Sequence, residues 1–242
     1  MTALGFLYPG HSAEDDYPRI EQLLGSDVRL QLVHTDIGED AHRIDALREM
    51  GSAARLSAGV EELRLSGAEA VVWACTSGSF VYGWEGAHEQ VRALARAAGL
   101  PSSTSFAFAH AVREIGARRV AIAATYPQDV ADLFAAFLRE AGVEVVSSRA
   151  SGIITAAEVG TWGEAEVLEL ARAGDHPDAD AVLVPDTALH TAAHLLTLEK
   201  DLSKPVLTAN QVTVWEALRL ADRKVNAPTL GTLFTKEPII QV

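Results

Sequence analysis

The chain repeats itself, and that repetition limits what it can fold into more than any other feature. Tyr8-Pro9, closing an apolar segment, falls on Tyr126-Pro127 at an offset of 118, and each pair precedes a polar turn and an amphipathic stretch. Ala70-Val71-Val72-Trp73-Ala74-Cys75-Thr76 falls on Ala181-Val182-Leu183-Val184-Pro185-Asp186-Thr187 at an offset of 111. Pro101-Ser102-Ser103-Thr104 falls on Pro205-Val206-Leu207-Thr208 at an offset of 104, so the offset shortens by seven residues at each step. Two copies of a four-strand unit that differ by a few loop deletions produce this pattern. Units related by a pseudo-twofold axis turn the carboxyl ends of their strands toward each other, where open parallel sheets hold ligands. Cys75 and Asp186 then meet across one cleft.

Short apolar segments alternate with amphipathic ones from end to end, the signature of a parallel sheet covered by helices. The expected strands are Leu4 to Leu7, Val28 to Val33, Ala70 to Ala74, Pro101 to Ser103, Val120 to Ala124, Val143 to Ser147, Ala181 to Val184 and Val206 to Leu207. Glu85 to Ala98 reads as a helix closed by Gly99, and Asp129 to Ala141 as one closed by Gly142. The fold class is α/β, with two related lobes, each a four-stranded mainly parallel sheet with flanking helices. The expected boundaries are 1–105 for the first lobe, 106–220 for the second, and 221–242 for a tail that packs back on the first.

Lys and Arg number 20 against 33 Asp and Glu, a net charge of −13 with His neutral. Such a surface repels phosphate backbones and anionic headgroups, so no nucleic acid is expected as a partner. No apolar run approaches the roughly 18 residues of a membrane span, and Met1 is not followed by a basic and then an apolar leader, so the expected location is the cytoplasm. The single cysteine, Cys75, excludes an intrachain disulfide and a clustered-thiolate zinc site. Its thiol serves either packing or chemistry.

Cys75-Thr76-Ser77-Gly78-Ser79 follows a buried strand and enters a helix, a turn rich in hydroxyls and free N–H groups. Such turns bind anions, and Thr76 and Ser77 are the candidate donors to a carboxylate whose oxygens gain charge in an enediolate-like state. Ordinary turn and cap chemistry is the alternative for the same run. A thiol at a helix entry is expected to lose its proton more readily and to act as base or nucleophile, while the protonated form returns a proton. Asp186 at the matching strand end is a second acid, or else the N-cap of a helix running through His190 and His194. Tyr8, Tyr126, Ser12, Thr187 and Asn210 add polar groups on corresponding loops. His190 and His194 have a metal-binding spacing, but Thr191 stands where a zincin helix carries glutamate, so no metal site is expected there. His11 in the first loop is either an anion contact or a solvated side chain. Neither a glycine-rich nucleotide loop nor a serine nucleophile elbow is present.

Five segments carry a resemblance over nearly the whole chain: Tyr8-Pro9, Cys75-Thr76-Ser77-Gly78-Ser79-Phe80, Ala124-Thr125-Tyr126, Gly152-Ile153-Ile154-Thr155, and Pro205-Val206-Leu207-Thr208-Ala209-Asn210-Gln211 before Trp215-Glu216-Ala217-Leu218. They resemble the aspartate/glutamate racemase superfamily, in the branch holding maleate cis-trans isomerase and arylmalonate decarboxylase. The resemblance implies Rossmann-like lobes, cofactor-independent chemistry on a small-molecule carboxylate, and a dioxyanion pocket at Thr76, Ser77 and Tyr126, with Tyr8, Pro9, Ser12, Thr187 and Asn210 around it. A homodimer is left open as the assembly. Racemases and the isomerase of this superfamily present two cysteines, and the decarboxylase keeps the one in the second half. Here the first is kept and Asp186 stands in place of the second. Ala157 and Gly160, with Asp36, Ile37 and Asp40, are smaller or more polar than the apolar lining the decarboxylase gives a departing carboxylate. An isomerase or racemase of a small carboxylic or dicarboxylic acid is therefore the leading expectation. Decarboxylation of a substituted malonate comes second, and a degenerate carboxylate-binding protein third.

Overall fold

The computed structural model describes residues 1–95 and 99–235. Strands β1 (Thr2–Pro9), β2 (Val28–Thr35), β3 (Ala70–Trp73) and β4 (Pro101–Ser103) form one sheet, and β5 (Arg119–Ala124), β6 (Glu144–Ala150), β7 (Ala181–Val184) and β8 (Val206–Thr208) form another. The orders are β2-β1-β3-β4 and β6-β5-β7-β8, the same topology twice, as the duplication requires. Every pairing is parallel. The central strands β3 and β7 are apolar along their whole length and buried throughout, whereas the edges β2 and β6 are partly exposed.

Eleven α-helices join these strands among the described residues: α1 (Asp16–Leu24), α2 (Ile44–Met50), α3 (Ala53–Leu65), α4 (Ser77–Phe80), α5 (Gly83–Ala95), α6 (Thr104–Glu114), α7 (Gln128–Glu140), α8 (Ala156–Val159), α9 (Glu164–Gly174), α10 (Leu195–Leu202) and α11 (Ala209–Leu220). α7 closes at Gly142, whose φ of +84° is the left-handed conformation that ends helices. The expected helix Glu85 to Ala98 corresponds to α5, with residues 96–98 outside the described residues. No helix runs through His190 and His194. The Thr191 and Ala192 N–H groups donate to the Asp16 carboxylate, which leaves them unavailable to carbonyls one turn back, and α10 starts only at Leu195.

Alternation along β5 and β7 separates two cores. Val120, Ile122 and Ala124 with Ala181 and Leu183 face the larger cluster, shared with the first lobe, while Ala121, Ala123, Val182 and Val184 face a smaller one under α9. The lobes also interlock, because α11, from the second repeat, packs along α6 and over β3 and β4 of the first sheet. Its Glu216 is fully buried and accepts hydrogen bonds from Ser102 (2.8 Å), His110 (3.0 Å) and Arg219 (2.8 Å). Burial alone raises its proton affinity, but Arg219 and His110 outweigh that and hold the carboxyl down at about 2. Past α11, Arg223 reaches Thr2 and Asp27 on the first lobe, and residues 236–242 lie outside the described residues.

Candidate active site

Two strand ends build the site. Beyond β3 the chain turns at Cys75 into the single turn of α4, and the Gly78 N–H donates to the Cys75 sulfur at 3.2 Å, with the Ser77 hydroxyl 3.8 Å from it. This turn is clamped from below. Gln90 on α5 donates to the carbonyls of Gly51 (2.7 Å) and Gly78 (2.8 Å), and a Cβ on Gly51 would come within 2.1 Å of the Gly78 oxygen. Only glycine permits the α2–α3 elbow to approach the cysteine turn so closely. Beyond β7, Asp186 accepts from the Thr125 hydroxyl and from the Ala188 N–H at 2.9 Å.

Cys75 and Asp186 are 3% and 4% exposed, and both line one small cavity of about 60 Å³ between the lobes. Pro9, Ser12, Ser77 and Thr187 line it too. Burial pushes the Cys75 thiol up to about 12, with the Asp186 charge adding to the rise against the Gly78 and Ser77 hydrogen bonds. This reverses the expected effect of the helix entry: a four-residue helix offers little dipole, and desolvation of a buried thiolate dominates. The thiol stays protonated at neutral pH.

The remaining expected site residues lie one layer back. The Tyr126 hydroxyl donates to the Pro185 carbonyl at 3.0 Å, close to the Thr76 and Ser77 hydroxyls, and burial pushes its proton affinity well up. The Thr76 hydroxyl is buried beside Tyr126 and makes no hydrogen bond of good geometry. Tyr8 donates to the Thr187 carbonyl (2.9 Å) and accepts from the Ala13 N–H (2.9 Å) and the Ser12 hydroxyl (2.8 Å), so it ties the first loop to the Asp186 loop. Asn210 does not line the cavity. Its amide donates to Asp16 (3.1 Å) and to the Thr187 and Leu189 carbonyls (3.3 Å each), which pins the Asp186 loop to α1. His190 pairs with Asp15 at 2.8 Å and His194 lies 3.6 Å from Glu164, so the two imidazoles serve different neighbours.

Sequence reasoning placed Ile37, Asp40 and Ala157 at the lining but missed Glu39, His42 and the strap they form with residues 153–157. Asp40, after β2, accepts from the N–H groups of Ala156 (2.8 Å) and Ala157 (3.0 Å). His42, 6% exposed, gives its backbone N–H to Ile154 (2.8 Å) and its Nδ1 proton to the Ile153 carbonyl (2.9 Å), with its ring edge-on to Tyr126 at 5.2 Å. Glu39, Asp40 and His42 line the cavity together with Ile37 and Ala157. Asp36 turns away to Arg55 at 2.7 Å, and Gly160 sits against Ser12. A lone histidine in a polar stretch carries no periodicity, so only the pairing of this segment with residues 153–157 reveals it.

The model of the arylmalonate decarboxylase family matches residues 48–234. The arylmalonate decarboxylase of Bordetella bronchiseptica is 34% identical over 176 residues, which is 71% of this chain and 73% of that protein. Among solved structures, a Cys-to-Ser variant of Nocardia farcinica maleate cis-trans isomerase with a covalently bound succinylcysteine intermediate superposes with a TM-score of 0.89 at 22% identity, covering 98% of this chain and 99% of that one. A liganded variant of arylmalonate decarboxylase, with one glycine changed to cysteine and one cysteine to serine, gives 0.84 at 26% identity over 98% of this chain and 100% of that one. The maleate isomerase of Pseudomonas putida, in a Cys-to-Ala form with maleate, gives 0.86 at 20% identity over 97% of both chains.

Proposed function

The chain belongs to the arylmalonate decarboxylase family, and from that premise and its own cavity we propose that it is a cofactor-independent isomerase moving a proton at the carbon beside a carboxylate. The observation that carries this reading is the pairing of a buried thiol and a buried carboxylate from matching strand ends in one cavity. Asp186 takes the α-proton and Cys75, protonated at rest, returns one. Electrons left on the substrate pass into its carboxylate, which gains hydrogen bonds from Ser77, with the unpartnered Thr76 hydroxyl and Tyr126 behind it. Cys75 acting as a nucleophile on a maleate-like double bond asks for a thiolate, which burial opposes.

The lining narrows the substrate. Glu39, Asp40 and Asp186 line the cavity, and neither Lys nor Arg does so among the described residues. Glu39 is paired with Arg43 and Asp40 is capped by two N–H groups, so a dianion meets chiefly the buried Asp186 carboxylate, while a monocarboxylate with an amino or hydroxyl group meets an acceptor it can satisfy. Decarboxylation of a substituted malonate is the second reading. It is favoured by the family match and by the same protonated thiol, which suits delivery of a proton to an enediolate after carbon dioxide leaves.

Incubation with α-amino and α-hydroxy acids, maleate and substituted malonates in heavy water separates these readings by proton NMR. Deuterium incorporation at Cα of a monocarboxylate is the expected result. Carbon dioxide release from a malonate without α-exchange elsewhere moves the assignment to the decarboxylase, and silence on every acid overturns both.

A further inference from the structure

At the rim of the cavity a second cluster has no part in this chemistry. Gly10, with φ at +61°, turns the chain after β1 so that His11 folds back over Glu14, with Nδ1 3.1 Å from Oε1. His34, near the end of β2, brings its ring to 4.0 Å from that of His11. One ligand atom from each of the three side chains lies within 4.8 Å of the others. We propose that His11, Glu14 and His34 bind a divalent transition-metal ion of the zinc type, with an exchangeable fourth position at the mouth of the cavity.

The supporting contacts point the same way. His34 Nδ1 lies 2.6 Å from the Gly10 carbonyl, so Nδ1 carries a proton and Nε2 keeps the lone pair a metal needs. A backbone carbonyl behind a histidine is the usual partner that fixes the tautomer of a metal ligand. Glu14 is oriented in turn, since its Oε2 accepts the Ser12 N–H at 2.7 Å while Oε1 faces His11. The loop is tied to β1 as well, because the Ala13 N–H donates to the Tyr8 hydroxyl at 2.9 Å. Two imidazoles and one carboxylate leave one position of a tetrahedral ion open, the donor count of an exchangeable zinc site. His11 and Ser12 also line the cavity, so ion and substrate share a wall. The proposal stands apart from the reaction above, which uses no metal.

Calorimetric titration of the full, tag-free, chelator-treated chain with Zn²⁺ tests it, with Co²⁺ as a spectroscopic stand-in. One ion per chain and a visible Co²⁺ spectrum of four-coordinate type are expected. Loss of an outer-shell partner alone weakens metal sites roughly 10–100-fold, so His34→Ala and Glu14→Gln must each weaken binding at least tenfold. His176→Ala, on the far side of the second lobe, must not. Absence of a stoichiometric step, or a step of the same strength in His34→Ala, overturns the site. Melting temperatures of the two variants near that of the parent exclude unfolding as the reason for any loss.

Discussion

Cys75 and Asp186 occupy the same place in two copies of one unit, yet their surroundings differ in kind. The first strand end runs straight into a helical turn, where the sulfur takes one N–H and a distant hydroxyl and sits at the edge of the apolar core, facing the cavity. The second runs into a loop that Asp16 and Asn210 hold open, where the carboxylate takes a hydroxyl and an N–H. One half supplies a burial that keeps the proton on the sulfur, the other a hydroxyl and an N–H aimed at a carboxylate. On the proposed reading, a duplicated fold draws an acid and a base from equivalent positions by changing what the loops donate.

The largest effects come from breaking this asymmetry. Cys75→Ala removes the proton donor and is expected to lower turnover by roughly 10²–10⁴-fold in the heavy-water exchange assay, the usual worth of a positioned acid or base. Asp186→Asn keeps the shape and removes the base, with a loss of the same order. If Asp186→Asn leaves turnover intact while Cys75→Ala abolishes it, the two halves are not an acid–base pair and the one-sided decarboxylase reading takes over. Next in size is the reactivity of the thiol. Its folded value near 12 lies above its ordinary 9, so the protonated form persists through neutral and mildly alkaline pH and gives way only as pH climbs toward 12. Iodoacetamide at pH 8 should therefore modify folded Cys75 about 10³-fold more slowly than the same cysteine in urea, by the thiolate fraction alone. An alkylation profile with its inflection below 9 removes Cys75 from the role of resting acid.

How far the residues could be read without coordinates follows the same division. Strand positions, lobe duplication and the shared cavity of Cys75 and Asp186 were legible because apolar runs and repeat offsets encode them, whereas the order of strands within each sheet was not. The interlocking of α11 with the first sheet was not, since nothing in Ala209–Leu220 says which sheet its buried face meets. Asn210 looked like a ligand contact because it is polar and sits at a strand-to-helix boundary; a carboxylate at position 16, far off in sequence, makes it a structural tie instead. The same carboxylate dissolved the expected helix through His190. The thiol's proton affinity went the other way from expectation because the number of apolar neighbours around a sulfur is a tertiary property.

The smallest effect tests whether the cysteine half is the more tightly specified one. Gly51 and Gly174 both stand where a methyl group would collide, the first 2.1 Å from the Gly78 backbone oxygen, the second 2.4 Å from the Ala123 Cβ under α9. Overpacking of this kind costs about 1–3 kcal/mol, so each alanine variant should unfold at lower denaturant concentration by a similar margin. Their consequences for the site diverge. Gly51→Ala pushes on the turn that carries Cys75 and Ser77, and its exchange rate should fall well beyond what lost stability explains. Gly174→Ala acts on the face of β5 turned away from the cavity, and its folded fraction should work at the parental rate. Equal loss of activity in both variants means the cysteine turn is no more exacting than the rest of the core, and Gly51 then serves packing alone.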